Sequence, residues 1–248
     1  MENLSFCTAL GFSPGGGAVL SAVGGGGKTT MLTRLAGELA SAGHTAILTT
    51  TTHIMRPSRE QMETVADGDL DRVRALLGRK GTVCVGGGGG EKLTAPDEKT
   101  LLGLRDLADA LLVEADGAKG LSVKAPAPHE PVLYPGSDLV VAVAGLSALG
   151  RALKDCCFRL PYVTGLLDAA EDAILTPSLL SRLLTSELGG RKGVLPSSRF
   201  TVLLNQADNA PLTALGAETA CHIGALLPEC RVVITALLKG IDIKAVVC

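Results

Sequence analysis

The residues 24–30, GGGGKTT, place a lysine and two hydroxyls directly after four glycines. A glycine inside a regular element costs about 1 kcal/mol relative to alanine, so four in succession need a reason. Upstream, residues 18–23 form an apolar run of strand length. Downstream, Met31, Leu32, Leu35, Ala36 and Leu39 recur at helical spacing until Gly43. The glycines therefore sit at a strand-to-helix turn, where backbone N–H groups and a helix N-terminus converge on an anion. Gly24, Gly25, Gly26 and Gly27 let phosphate oxygens approach, Lys28 reaches the outer phosphates, Thr29 offers its hydroxyl to Mg²⁺, and Thr30 completes the loop. Residues 22–29 keep the P-loop spacing except at Ala22, where that motif has glycine.

In an open α/β sheet ligands collect beyond the carboxyl ends of the strands, so the polar residues at those ends are the next candidates. One strand ends in EADGAKG, where Glu114 or Asp116 can hold Mg²⁺ or orient a water. Lys119 and Lys124 follow, suited to anionic substrate groups. Another strand ends in TTTTHI, which puts Thr52 and His53 where P-loop proteins carry a switch residue that senses the γ-phosphate. A third runs into Asn205-Gln206-Ala207-Asp208, similar to the guanine-recognition element N-K-x-D with glutamine for lysine. There Asp208 would accept from guanine donors that adenine lacks, which favours GTP over ATP. The segment KAPAPHEP holds His129 and Glu130 in a proline-fixed loop, a candidate substrate or metal contact.

The elements that must position these groups alternate strand and helix nearly throughout. This predicts one α/β domain over residues 1–248, a mostly parallel sheet with helices on both faces in a P-loop NTPase-like arrangement. Strands are expected at 45–52, 82–85, 111–114, 139–143, 201–204 and 232–235, after the first at 18–23. Helices are expected at 69–77, at 97–110 and from Pro211. Residues 121–137, with Pro126, Pro128, Pro131 and Pro135, form an irregular excursion. Residues 146–198 read as mostly helical, an insertion without a clear strand.

The bulk numbers narrow the function classes. A net charge of -2 gives no basic field and 2% aromatics give no stacking platform, so a nucleic-acid partner is not indicated. No apolar run is long enough to span a bilayer, and the start MENLSFCTALGF lacks a basic leader, so a cytoplasmic location is expected and no membrane partner. Cys7, Cys84, Cys156, Cys157, Cys221, Cys230 and Cys248 include no C-x-x-C pair and read as buried reduced thiols.

Taken together, GGGGKTT, TTTTHI, EADGAKG, KAPAPHEP and NQAD resemble the selenium-dependent molybdenum hydroxylase accessory proteins, the YqeC-like selenium cofactor biosynthesis proteins, from about residue 20 to 208. The chain departs from that pattern at Cys157-Phe158-Arg159, where a His-Arg pair is expected. The resemblance implies a P-loop NTPase that helps mature or insert the molybdenum cofactor, with its selenium, into hydroxylases. The implied partners are such a hydroxylase, cofactor-maturation proteins and the small-molecule cofactor itself. P-loop proteins of this kind often form a homodimer across the nucleotide. Two other readings stand beside it: a phosphoryl transferase or ligase acting on a small acceptor, and a non-catalytic nucleotide-gated adaptor. GGGGKTT is also similar to the phosphate loop of Mur-type ligases, whose other motifs are absent here. Lys28→Ala is expected to abolish turnover with the fold intact.

Overall fold

Strands rich in Val, Leu, Ile and Ala without polar alternation are stable only when both faces are covered, and that requirement organises this chain. The computed structural model describes residues 4–247. Cys248 and the first three residues of the amino-terminal segment lie outside the described residues. In chain order the elements are α1 (Phe6–Leu10), β1 (Ala18–Gly24), α2 (Lys28–Ser41), β2 (Ala46–Thr50), β3 (His53–Met55), β4 (Thr64–Val65), α3 (Leu70–Lys80), β5 (Thr82–Val85), β6 (Lys92–Thr94), α4 (Glu98–Gly103), β7 (Ala110–Glu114) and β8 (Val123–Lys124). There follow β9 (Leu139–Gly145), α5 (Leu153–Cys156), β10 (Cys157–Phe158), α6 (Leu160–Leu167), α7 (Pro177–Thr185), β11 (Arg199–Asn205), α8 (Ala210–Leu226), β12 (Arg231–Thr235) and β13 (Ile243–Val247).

Nine strands form one sheet in the order β13-β12-β11-β9-β1-β7-β2-β5-β4, parallel throughout except for the antiparallel edge strand β13. Alternate residues of one strand serve opposite faces, as β9 illustrates. Leu139, Val141 and Val143 pack with α1 and α2, whereas Val140, Ala142 and Ala144 pack under α6, α7 and α8. On that second face, α3 and the 3₁₀ turn Leu104–Leu107 cover β2, β5 and β7 through Val73, Leu76, Leu77 and Leu104. The α/β class with helices on both faces is as expected.

Residues 146–198 supply Leu153, Val163, Leu167, Leu180 and Leu183 to the same core as Val140 and Val202 of the sheet. They also contain β10, which pairs in parallel with β8. A two-residue strand is too short to show a period of two, which is why the region reads as helical alone. The helix expected over 97–110 ends at Gly103 and tightens into the 3₁₀ turn. Cys7, Cys84, Cys156, Cys157 and Cys230 are buried, but Cys221 is exposed on α8. Among the described residues no helix is long and apolar enough to cross a membrane.

Candidate phosphate site

The strand β1 lies between β7 and β9, so the loop that leaves it opens where the chain's connections diverge to either side. Register fixes what surrounds that loop: Ala22 is level with Glu114 of β7, and Gly24 is level with Val143 of β9. The glycines are required by the protein itself. Gly24 and Gly26 have φ of 96° and 74°, in the left-handed region. A Cβ on Gly24 would collide with the Val143 carbonyl, and one on Gly26 with the Gly145 backbone nitrogen. On either side, Gly25 abuts the Leu121 carbonyl and Gly27 the Asn205 amide.

The helix α2 begins at Lys28 with Gly27 as its N-cap, and no side chain caps it. By contrast Ser5, Asp69, Asp97, Thr176 and Asn209 each cap their own helix through the side chain. The first N–H groups of this 14-residue helix are therefore without a side-chain acceptor at the carboxyl edge of the sheet.

Two carboxylates stand beside it. Thr29 Oγ1 donates to Glu114 Oε2 at 2.6 Å. The Gly24 N–H donates to Asp116 Oδ2 at 3.1 Å, which ties the carboxylate to the root of the loop. Lys28, only 4% exposed, donates to the Gly24 carbonyl at 2.5 Å. Its Nζ lies 3.1 Å from Asp116 Oδ1 and 3.9 Å from Glu114 Oε1. Burial pushes the Glu114 carboxyl above its ordinary range, with Asp116 adding to the rise and Lys28 and Thr29 opposing it.

The charges continue away from the loop in alternation. Lys124 Nζ lies 3.2 Å from Asp116 Oδ2 and donates to Glu130 Oε2 at 2.9 Å, and Arg159 reaches Glu130 Oε1 at 3.2 Å. Burial alone would raise Glu130, but Lys124, the Ala127 N–H and Arg159 outweigh it and hold the carboxyl down to about 2. The β8–β10 pairing joins these partners, since it sets Lys124 level with Phe158.

Above the loop opens a cavity of about 850 Å³. Its lining includes residues 25–30, Thr52, His53, Glu114, Lys119 and Glu130, all singled out in the sequence. The Thr52 hydroxyl is buried without a hydrogen-bond partner. Asp116 and Lys124 stand behind this surface. Other candidates fall elsewhere. Asn205 is buried, and its amide donates to the Gly26 carbonyl at 2.9 Å and accepts from Thr235 and the Leu237 N–H. Asp208 and His129 are exposed and outside the cavity lining. Sequence reasoning gave no role to Lys92, Phe158, Arg159 or Gln206, which do line the cavity. No local signal marks the first three as site residues, because tertiary pairing brings them in. Gln206 is recognisable only as the glutamine that interrupts N-K-x-D.

The YqeC protein family matches residues 20–161, more than half of the chain. A relative from Escherichia coli (strain K12), described as uncharacterized protein YqeC, is 30% identical over 200 residues, covering 77% of this chain and 78% of the relative. The chain belongs to the YqeC family. The family match includes the phosphate loop, both carboxylates, the Lys124–Glu130 segment and Arg159, so the whole alternating chain of charges lies inside the YqeC region.

Proposed function

We propose that this YqeC-family chain binds a Mg²⁺–nucleoside triphosphate on residues 24–30 and hydrolyses it, with GTP preferred to ATP. The observation that carries the reading is the uncapped N-terminus of α2, ringed by glycines and flanked by Lys28, Thr29 and two buried carboxylates. Hard oxygen donors suit Mg²⁺, and Thr29 with Glu114 is the pair that would hold it. Asp116 is already committed to Gly24, Lys28 and Lys124, which makes it the residue that positions the loop. When bound, Mg²⁺ would neutralise phosphate charge. The chain's own contribution is to draw Lys28 onto the outer phosphates, align the α2 N–H groups and hold a water near Glu114 or Thr52.

The turnover is proposed to serve the maturation or insertion of the molybdenum and selenium cofactor of hydroxylases, in the cytoplasm and in contact with such a partner, as the resemblance of the sequence motifs implies. A second reading, phosphoryl transfer to a small acceptor, is favoured by the cations Lys92, Lys119 and Arg159 that line the same cavity as the loop.

The test is calorimetric titration with non-hydrolysable GTP and ATP analogues, with and without Mg²⁺, on the wild type, Thr29→Val and Asp208→Ala. Mg²⁺-dependent binding that weakens in Thr29→Val supports the site. A preference for GTP that vanishes in Asp208→Ala assigns the base contact. Binding of neither nucleotide by the folded wild type rejects the reading. Hydroxylase activity in cells lacking this protein, restored by the wild type and not by Thr29→Val, tests the cofactor role.

A further inference from the structure

Lys92, Lys119, Phe158 and Arg159 line the same cavity as the phosphate loop, and nothing in nucleotide binding uses them. Their backbone is unusual. Among the described residues, positive φ outside glycine occurs at Lys119 (49°), Arg159 (63°), Asp168 (51°) and Gln206 (68°), and three of these four line this cavity. Strained conformations gather at functional sites because the surroundings must be built to hold them.

The strain at Lys119 has an identifiable source. The Leu121 N–H donates to the Ala118 carbonyl at 3.0 Å, closing a turn whose central residues, Lys119 and Gly120, both have positive φ. That is the geometry of a type I′ turn, which favours Asn or Gly where this chain has lysine. The turn is braced on the phosphate loop, since the Gly26 N–H donates to the Leu121 carbonyl at 3.2 Å. Lys119 is thus held in an unfavourable conformation at a fixed place on the cavity wall.

Phe158 gathers the cations. Lys119, Lys124 and Arg159 lie 5.5, 5.7 and 5.0 Å from its ring centroid, within cation–π range. The charges around the cavity then sum as follows. Lys28, Lys124 and Arg159 are matched by Glu114, Asp116 and Glu130. Lys92 and Lys119 are left over, and among the described residues neither makes an ion pair. Arg159 Nε is buried without an acceptor. The wall carries two uncompensated positive charges and an unpaired donor, which a dianionic oxyanion satisfies and a neutral group does not.

We propose that this wall is a second anion subsite, which binds the phosphate group of a phosphorylated small molecule on Lys119 and Arg159 while the nucleotide occupies the phosphate loop. The inference rests on the nucleotide reading for what fills the loop, but its own residues are separate. The test titrates inorganic phosphate into wild-type protein saturated with Mg²⁺ and a non-hydrolysable nucleotide analogue, followed by calorimetry. Lys119→Asn and Arg159→Asn are the informative variants, because asparagine tolerates positive φ and relieves the strain. Lys119→Asn should keep or raise the melting temperature, whereas Arg159→Asn also gives up the Glu130 contact and should lower it modestly. Both should still bind nucleotide, yet weaken phosphate about ten- to hundredfold, the loss of a charged hydrogen bond. A folded wild type that takes up no phosphate beyond the loop overturns the subsite, as does binding that both variants leave unchanged. Phosphate binding that depends on Lys119 in a protein that binds no nucleotide supports the subsite and rejects the nucleotide reading alone.

Discussion

The two walls of the cavity are built by opposite means. The phosphate-loop wall comes from one continuous stretch, β1 through the start of α2, where glycine supplies every unusual backbone angle. The second wall comes from separate stretches around Lys92, Lys119 and Phe158, with left-handed backbone carried by lysine and arginine. The first wall can be recognised as a motif because its steric demands are met locally. The second exists only after β8 has paired with β10 and the Lys119 turn has docked on Gly26.

Removing Lys28 should separate the walls most sharply. The sequence suggested that Lys28→Ala would spare the fold, but Lys28 is buried between Asp116 and Glu114. Taking one partner from a buried pair costs about 3–5 kcal/mol, and Lys124 remains to hold Asp116, so the lower end applies. We expect a melting temperature lower by roughly 6–12 °C together with loss of nucleotide binding, read by differential scanning calorimetry and titration. Retained stability would show that the Lys28 ion pairs contribute little.

Gly26→Ala tests whether the first wall depends on the absence of a Cβ. With φ of 74° and the Gly145 nitrogen in the way, the substitution should cost about 2 kcal/mol or more, or roughly 4–8 °C. An unchanged melting temperature would mean the loop can shift without penalty.

Glu130→Gln addresses the second wall through pH. Its carboxyl is held down to about 2 from an ordinary 4.5, so the native state favours the charged form. The stability this confers is present above pH 4.5 and is lost as pH falls toward 2. The wild type should be the more stable at neutral pH, with its advantage over Glu130→Gln shrinking through that window in urea unfolding. A constant difference across the window would show that the Lys124 and Arg159 contacts do not hold the carboxylate ionised. Finally, His129→Ala should change stability by less than about 0.5 kcal/mol, because His129 is exposed on the outer side of the same loop. A larger loss would extend the second wall beyond the cavity.

These contrasts explain what could be read from the chain alone. Seven of the eight parallel strands of the sheet, β1, β2, β5 and β7 among them, were visible because each is an apolar run buried on both faces. Glu114 and Asp116 were visible because carboxylates following an apolar strand have no packing reason to be there. The short strands β3, β4, β6, β8 and β10 were not, since two or three residues carry no period. The likeness of Asn205 to a base-recognition element gave no hint of its contacts within the protein: its amide joins Gly26 to Thr235 and Leu237. Arg159 could not be connected to Glu130, 29 residues away, without the strand pair that brings them together.

The alternating row Lys28, Asp116, Lys124, Glu130, Arg159 also means that the two walls draw on one shared set of counter-ions. A phosphate that takes Lys28 leaves Asp116 to Lys124, loosens the hold of Lys124 on Glu130, and so alters what Arg159 can offer at the far end. Were both walls occupied as proposed, occupancy of one would change affinity at the other, and linkage would make the change equal in both directions. On the proposed two-ligand reading, a row of ion pairs that is ordinarily of little value to stability would serve as the link between the two walls.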